Sequence, residues 1–229
     1  MATPQPINPN VCESIGNFEV GTPEWLALRY EGIGGSDASA IMGLNPYKKI
    51  EALLHEKVHR TSRPLSGAHI DFGKMLEPLL LKDLDTHMGD ELGTLRSKEH
   101  PFMLANIDGY YARGPMISGV EIKTTSQKSS KHWRSGVPAS YECQLQHYLA
   151  VSGWSAFRIY CLIAPYDRKA LMHRYEKYQD REEEFARYLI DASEVLIFDV
   201  LRDERLIASL IERQTEFWET VESERAKLA

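Results

Sequence analysis

Cysteine is scarce in this sequence: Cys12, Cys143 and Cys161 are the three in 229 residues, odd in number and far apart. That excludes a disulfide framework and a four-thiolate metal or iron-sulfur site, and it suits a reducing compartment. Long apolar runs are also missing. No stretch approaches the ~20 residues needed to cross a bilayer, and the first residues carry neither a basic opening nor an apolar signal segment. A cytoplasmic protein with no membrane contact is therefore expected. Positive charge is not in excess either: 27 Lys and Arg stand against 33 Asp and Glu, a formal net charge of −6. A protein that coats nucleic acid by overall attraction is excluded, but a local basic channel is not. Basic residues do gather in one Ser-rich stretch, at Lys128, Lys131 and Arg134.

Apolar side chains make up 43% and charged ones 26%, enough for one substantial core and too ordered a composition for a disordered chain. Length points to a single domain spanning residues 1–229, with 1–20 an irregular lead-in and 180–229 C-terminal helices. Thr22 reads as an N-cap with Pro23 at the first helical position. Two glycines at 34 and 35 permit an unusual turn, Ser36 is placed to cap the next helix, and Gly43 stops it. Helical spacing covers 50–59 and 70–88, with Pro78 expected to kink the second. Residues 102–107, 118–124, 155–163 and 171–178 read as strands, and 138–152 as a helix closed by Gly153. The order is that of an α/β fold, a mixed central β-sheet flanked by α-helices with helical N- and C-terminal additions.

The most informative segment runs from Asn106-Ile-Asp108 to Glu121-Ile122-Lys123. Side chains two apart on a strand share a face, so Glu121 and Lys123 point together while Val120 and Ile122 enter the core. If Asp108 ends the neighbouring strand, its carboxylate meets that of Glu121, and paired carboxylates with waters form the oxygen-only site that Mg²⁺ accepts. Glu77 and Gln144 could complete the site from two helices. Phosphodiester hydrolysis needs such a set, with metal ions balancing charge on the phosphoryl oxygens. Lys123 would orient the attacking water, or deprotonate it if its neighbours lower its pKa. Each feature alone has a plainer reading: a cross-strand ion pair, an Asp-Gly turn, a helix-surface acid and a helix-surface amide.

Taken in order, Trp25-Leu-Ala-Leu-Arg29, Ile33-Gly-Gly-Ser36, Gly73-Lys-Met-Leu-Glu77-Pro78, Asp108-Gly109, Glu121-Ile-Lys123 and Gln144-Leu-Gln146-His-Tyr148 resemble the lambda exonuclease or YqaJ-type branch of the PD-(D/E)XK nuclease superfamily. The resemblance runs from about Trp25 to Ala164 and implies a restriction-endonuclease-like core. It also implies a Mg²⁺-dependent 5′ to 3′ exonuclease, with two ions and Mn²⁺ as a substitute. Such an enzyme digests one strand from double-stranded DNA ends and leaves a 3′ overhang for a single-strand annealing protein. A homotrimer threaded by DNA and the bacterial host cytoplasm of a phage or prophage are further implications. Glu77, Asp108, Glu121, Lys123 and Gln144 are then catalytic, and Asp108, Glu121, Glu77 and the Ile122 carbonyl ligate metal. A 5′-phosphate falls to Arg29, Ser36 and Asn106. Lys128, Lys131 and Arg134 contact DNA, and Ile70, beyond the polar segment 61–67, is the candidate wedge between terminal bases. Asn106 stands where some relatives have serine, and the basic residue expected after the Glu-x-Lys has no unique counterpart. A junction resolvase of the same superfamily, or a non-catalytic DNA-end-binding scaffold, are the competing readings.

Overall fold

The computed structural model describes residues 5–19, 21–61, 68–113, 116–178 and 180–228. Among them the strands are β1 (Cys12–Ser14), β2 (His87–Met88), β3 (Leu95–Ser97), β4 (Leu104–Ala105), β5 (Gly109–Arg113), β6 (Met116–Ser126), β7 (Ala156–Ala164) and β8 (Glu194–Leu201). The helices are α1 (Pro23–Tyr30), α2 (Gly35–Ile41), α3 (Ile50–His59), α4 (Ala68–Asp83), α5 (Lys131–Arg134), α6 (Ala139–Ser152), α7 (Arg168–Tyr175), α8 (Glu182–Ala192) and α9 (Glu204–Leu228). Strands β2, β5, β6, β7 and β8 form the main sheet in that order, and β1, β3 and β4 a smaller one. Only β6 and β7 run parallel, because the crossover through α6 separates them, so the sheet is mixed as its pattern required.

The alternation along β6 and β7 decides the layers. Val120, Ile122, Tyr160 and Leu162 face one way and pack with Leu76 and Leu80 of α4 and Phe185 and Leu189 of α8. Phe157, Ile159 and Cys161 face the other way, onto Leu145, Tyr148 and Leu149 of α6. Each fully buried side chain of this size contributes about 1.5–3 kcal/mol, so both layers are firmly seated. The C-terminal helix α9 buries Phe217, Trp218 and Val221 against α2 and α3. Near its end Arg225 donates to the carbonyls of Tyr30 at 2.7 Å and Lys57 at 2.8 Å and pairs with Glu31 at 3.1 Å.

Several local expectations are corrected. The lead-in contains β1, which pairs with β3 at Cys12 and Ser97; a partner so distant in sequence leaves no local period. Helix α4 runs through Pro78 but ends at Asp83, after which Asp85 turns at φ 53° and β2 begins. The strand expected at 102–107 is only two residues long, and β5 is a further strand beyond the four expected. Residues 171–178 are not a strand: α7 and a 3₁₀ turn occupy them, with Leu171 on the buried side. The fourth long strand is β8, within the region assigned to C-terminal helices. It pairs along β7, and its apolar run alternates between the core and the open face at the sheet edge. The cap of α2 is Gly34 rather than Ser36: the Asp37 carboxylate accepts the Gly34 N–H at 3.2 Å. Among the described residues no helix is long and apolar enough to cross a membrane.

Candidate active site

Pairing between β5 and β6 stops at Gly109 and Val120, so β6 continues past its neighbour with one edge open. Asp108, just before β5, fills that opening: its Oδ2 accepts the Ile122 N–H at 2.8 Å. The N–H and C=O of one strand residue point to the same side, so the Ile122 carbonyl opens beside the Asp108 carboxylate. Glu121, on the opposite face of β6, is 1% exposed. Its Oε1 accepts from Gln144 Nε2 at 2.7 Å and from the Lys123 ammonium. Its Oε2 is buried with no hydrogen-bond partner. Gln144 is itself fixed by the hydroxyl of Tyr148, 3.0 Å away on the next turn of α6. Gly35 is needed where α2 meets this pair, since a Cβ there would lie 2.6 Å from the Tyr148 ring and 2.8 Å from Gln144.

Glu77, Asp108, Glu121, Lys123 and Gln144 share one cavity of about 960 Å³ with Arg29, Ser36 and Asn106. The catalytic and 5′-phosphate candidates therefore come together from α1, α2, α4, β6, α6 and the loop before β5. Asn106 is exposed, and its Oδ1 accepts from the Thr94 hydroxyl at 2.6 Å, which leaves its amide N–H groups directed to donate. Arg29 lies over Trp25 and donates to Asp37 Oδ1 at 3.1 Å. Asp37 is buried, and its other oxygen meets the ammonium of Lys57 at 2.8 Å; that ammonium also donates to the carbonyls of Arg29 at 2.5 Å and Gly32 at 2.7 Å. One carboxylate and two cations leave a net charge of +1, and of the two cations Arg29 is the one facing the cavity.

The basic stretch after β6 is not brought in. Lys128 and Lys131 are exposed and do not line the cavity, and Arg134 is held away from it by a two-pronged pair with Glu194 at 2.8 and 2.6 Å. Lys74 of α4 lines the cavity instead. The side chain of Ile70 and residues 62–67 lie outside the described part, so the wedge expectation is not addressed by the fold. Sequence reasoning missed Asp37, Lys57 and Thr94, and it gave Tyr148 and Lys74 no role of their own although both stand inside the motifs that carry the resemblance. Lys57 carried a signal, for it sits four residues after Leu53 on the buried face of α3, an apolar position where lysine is out of place.

Electrostatics separate the acids from the base. Burial, with the nearby charges of Asp108 and Glu121, pushes Glu77 up to about 8. Burial and Asp108 push Glu121 up to about 7 against the pull of Lys123 and Gln144, and burial raises Asp108. Burial alone would lower Lys123, but Glu121 and Asp108 outweigh it and hold the ammonium protonated above its ordinary range. With the two carboxylates beside it, Lys123 stands in this structure as a charged donor to Glu121. Among the described residues no three His, Cys, Asp or Glu side chains stand ready as a metal cage. Mg²⁺ commonly takes one or two protein carboxylates and completes its shell with water and phosphate oxygens. Asp108 and the partnerless Glu121 Oε2 fit that demand.

A stability measurement follows from these acids. Their folded pKa values are raised above about 4.5, so the folded protein keeps protons that the unfolded chain releases, and stability falls as pH rises from about 4.5 to about 8. In metal-free protein, Glu77→Gln is expected to flatten part of this fall, and added Mg²⁺ to raise Tm more at about pH 8 than at about pH 6. Equal Mg²⁺ shifts at both pH values would contradict it.

Residues 24–155, more than half the chain and including every cavity residue from Trp25 to Tyr148 but not Asn17, Phe18 and Glu19, match the YqaJ-like viral recombinase domain. The uncharacterized protein YqaJ of Bacillus subtilis is 32% identical over 210 residues, covering 88% of this chain and 57% of that protein; the chain spans little more than half its length. Protein D345L of African swine fever virus is 40% identical over 53 residues, 23% of this chain and 15% of that protein. Among solved structures, the alkaline exonuclease LHK-Exo from Laribacter hongkongensis, in complex with dAMP, has a TM-score of 0.64 at 19% identity over 90% of this chain and 96% of that one. A phage-related exonuclease from Haemophilus somnus has a TM-score of 0.60 at 13% identity, over 90% and 100% of the two chains. The fold is shared with these nucleases, and the chain belongs to the YqaJ-like viral recombinase family.

Proposed function

We propose that this chain is a metal-dependent nuclease that removes nucleotides from a 5′-phosphorylated strand at a duplex DNA end. The observation that carries this reading is the state of Glu121: one oxygen accepts from Lys123 and Gln144, the other is buried with no hydrogen-bond partner, and the carboxyl feels the charge of Asp108. A structural acid would have both oxygens satisfied, since a buried carboxylate without partners costs several kcal/mol. The same cost speaks against a non-catalytic scaffold, which has no use for three mutually repelling acids.

Asp108, Glu121 and the Ile122 carbonyl would hold Mg²⁺, with Glu77 serving a second ion or its water. Bound Mg²⁺ supplies charge to the phosphoryl and leaving oxygens and acidifies the attacking water. Lys123, kept protonated, orients that water or the scissile phosphate. Gln144 holds Glu121 in the rotamer that presents Oε2. Arg29, with its planar fork, the Asn106 amide and the Ser36 hydroxyl receive the terminal phosphate. Removal of a 5′ nucleotide leaves a 3′ single strand, the substrate of a single-strand annealing protein in phage-type recombination. A homotrimer of this chain is the assembly proposed for holding DNA through successive cuts. Residues 1–229 act as one nuclease domain in this reading, in the host cytoplasm.

Linear and circular duplexes, incubated with Mg²⁺ or with EDTA, provide the test. Loss of linear duplex alone, with Mg²⁺ alone, is expected. Cutting of closed circles would favour a resolvase, and binding without cutting would favour a scaffold. Arg29→Ala should remove the preference for 5′-phosphorylated over 5′-hydroxyl ends, and an unchanged ratio between the two substrates would refute its role.

A further inference from the structure

Tyr47 is the most exposed large hydrophobic side chain among the described residues, at 91%. Water contact around an aromatic ring is unfavourable, yet the turn that carries it is firmly built. Asn45 Oδ1 accepts the N–H groups of Tyr47 at 2.8 Å and Lys48 at 3.0 Å, as an Asx turn does. The Asn45 amide in turn donates to Ser39 Oγ at 3.1 Å and to the Ser36 carbonyl at 3.3 Å, and the N–H groups of Leu44 and Asn45 both reach the Ser39 carbonyl. The turn is thus anchored on α2, the helix that presents Ser36 to the cavity. Pro46 removes a further backbone freedom.

Position and charge point to what the ring meets. Tyr47 stands two residues after Asn45, whose amide is bonded to the carbonyl of Ser36, a residue lining the cavity, so the turn is fastened to the α2 side of the cavity. Lys48 next to it is paired with Glu56 at 2.6 Å, while Lys49 is exposed, so in a chain of net charge −6 an exposed cation stands two residues from the barest aromatic ring among the described residues. Cations that track phosphates interleaved with an exposed ring are the pattern of base stacking on single-stranded or frayed nucleic acid.

We propose that Tyr47 is a stacking platform for an exposed base of the DNA end, an assignment that rests on the nuclease reading above. The ring receives the base as the 5′ phosphate enters between Arg29 and Ser36, while Lys49 follows the backbone. The rigid turn spares the ordering cost that a flexible loop would incur.

The test compares Tyr47→Ala, Tyr47→Phe, Tyr47→Trp and Tyr47→Leu in full-length protein. Binding of a fluorescent, 5′-phosphorylated duplex with a frayed end is measured with Ca²⁺ replacing Mg²⁺. Tyr47→Ala and Tyr47→Leu are expected to weaken binding about ten- to a hundredfold, the range for one stacked base. Tyr47→Phe and Tyr47→Trp should stay near wild type, and all four should melt together, because the bonds holding the turn come from other groups. Wild-type affinity in Tyr47→Ala, or in Tyr47→Leu, would overturn stacking while leaving the nuclease reading intact. Altered subunit assembly with unaltered affinity would reassign Tyr47 to a protein contact. Failure of the wild type to bind any DNA end would overturn both proposals.

Discussion

Asp108→Asn is expected to lower the rate of DNA hydrolysis about a thousandfold or more while leaving the protein as stable as before, or more so. A metal ion contributes several kcal/mol to a phosphoryl transition state, and each 1.36 kcal/mol is about a factor of ten. Asparagine keeps an oxygen to accept the Ile122 N–H, so the loop entering β5 stays joined to β6. It removes the charge proposed to hold metal, which also repels Glu77 and Glu121. Single-turnover cleavage of a labelled duplex and a melting curve in EDTA are the two measurements. Cleavage at the wild-type rate would remove Asp108 from the site, and a lowered Tm accounting for the lost rate would make it a structural residue.

The second large effect falls on a residue that touches no substrate. Lys57→Met is expected to cost about 3–5 kcal/mol, the usual loss when one member of a buried ion pair is removed. For a chain of this size that is a fall of about 10 °C in Tm. The reason is the completeness of the Lys57 shell: all three ammonium protons are taken, by Asp37 and by the carbonyls of Arg29 and Gly32. Without Lys57, Asp37 keeps a buried charge with Arg29 as its remaining cation. Asp37→Asn combined with Lys57→Met should recover part of the loss, a coupling read from a double-mutant cycle in urea. In Asp37→Asn, preference for 5′-phosphorylated ends should weaken at temperatures where the protein is fully folded, because Arg29 loses its anchor. A Lys57→Met protein within about 1 kcal/mol of wild type would show that the pair adds little.

The grouping of the acids proposed to hold metal was readable in the sequence, and what supports the proposed phosphate pocket was not. Asp108, Glu121 and Lys123 lie within one hairpin, where alternation settles which side chains share a face, and Gln144 follows on the next strong helix. Their grouping needed only the strand period. Arg29 and Ser36 were recognisable as residues, but what holds Arg29 was not: Lys57 is 28 residues from it, and the link is a tertiary contact with no periodic signature. Arg134 is the reverse case: it follows β6 closely in sequence, yet its exposed guanidinium pairs with Glu194 on β8 and does not line the cavity, and β8 is a strand hidden among acidic helices. Local pattern located β6, α6 and β7 well because each buries a full face. It failed at β1 and β8, short or edge strands whose identity comes from the strand beside them.

The clasp of Arg225 on the Tyr30 and Lys57 carbonyls joins groups 195 and 168 residues apart. Chains fold as they emerge from the ribosome, N-terminal parts first, and closing a loop of that length waits until its far end exists. The arm bearing Arg29 is made early and fastened late. The hairpin with Asp108 and Glu121 needs only nearby partners, so during synthesis the acids assemble before the arm of Arg29 is locked, and on the reading proposed here the grip on a DNA end is completed by α9.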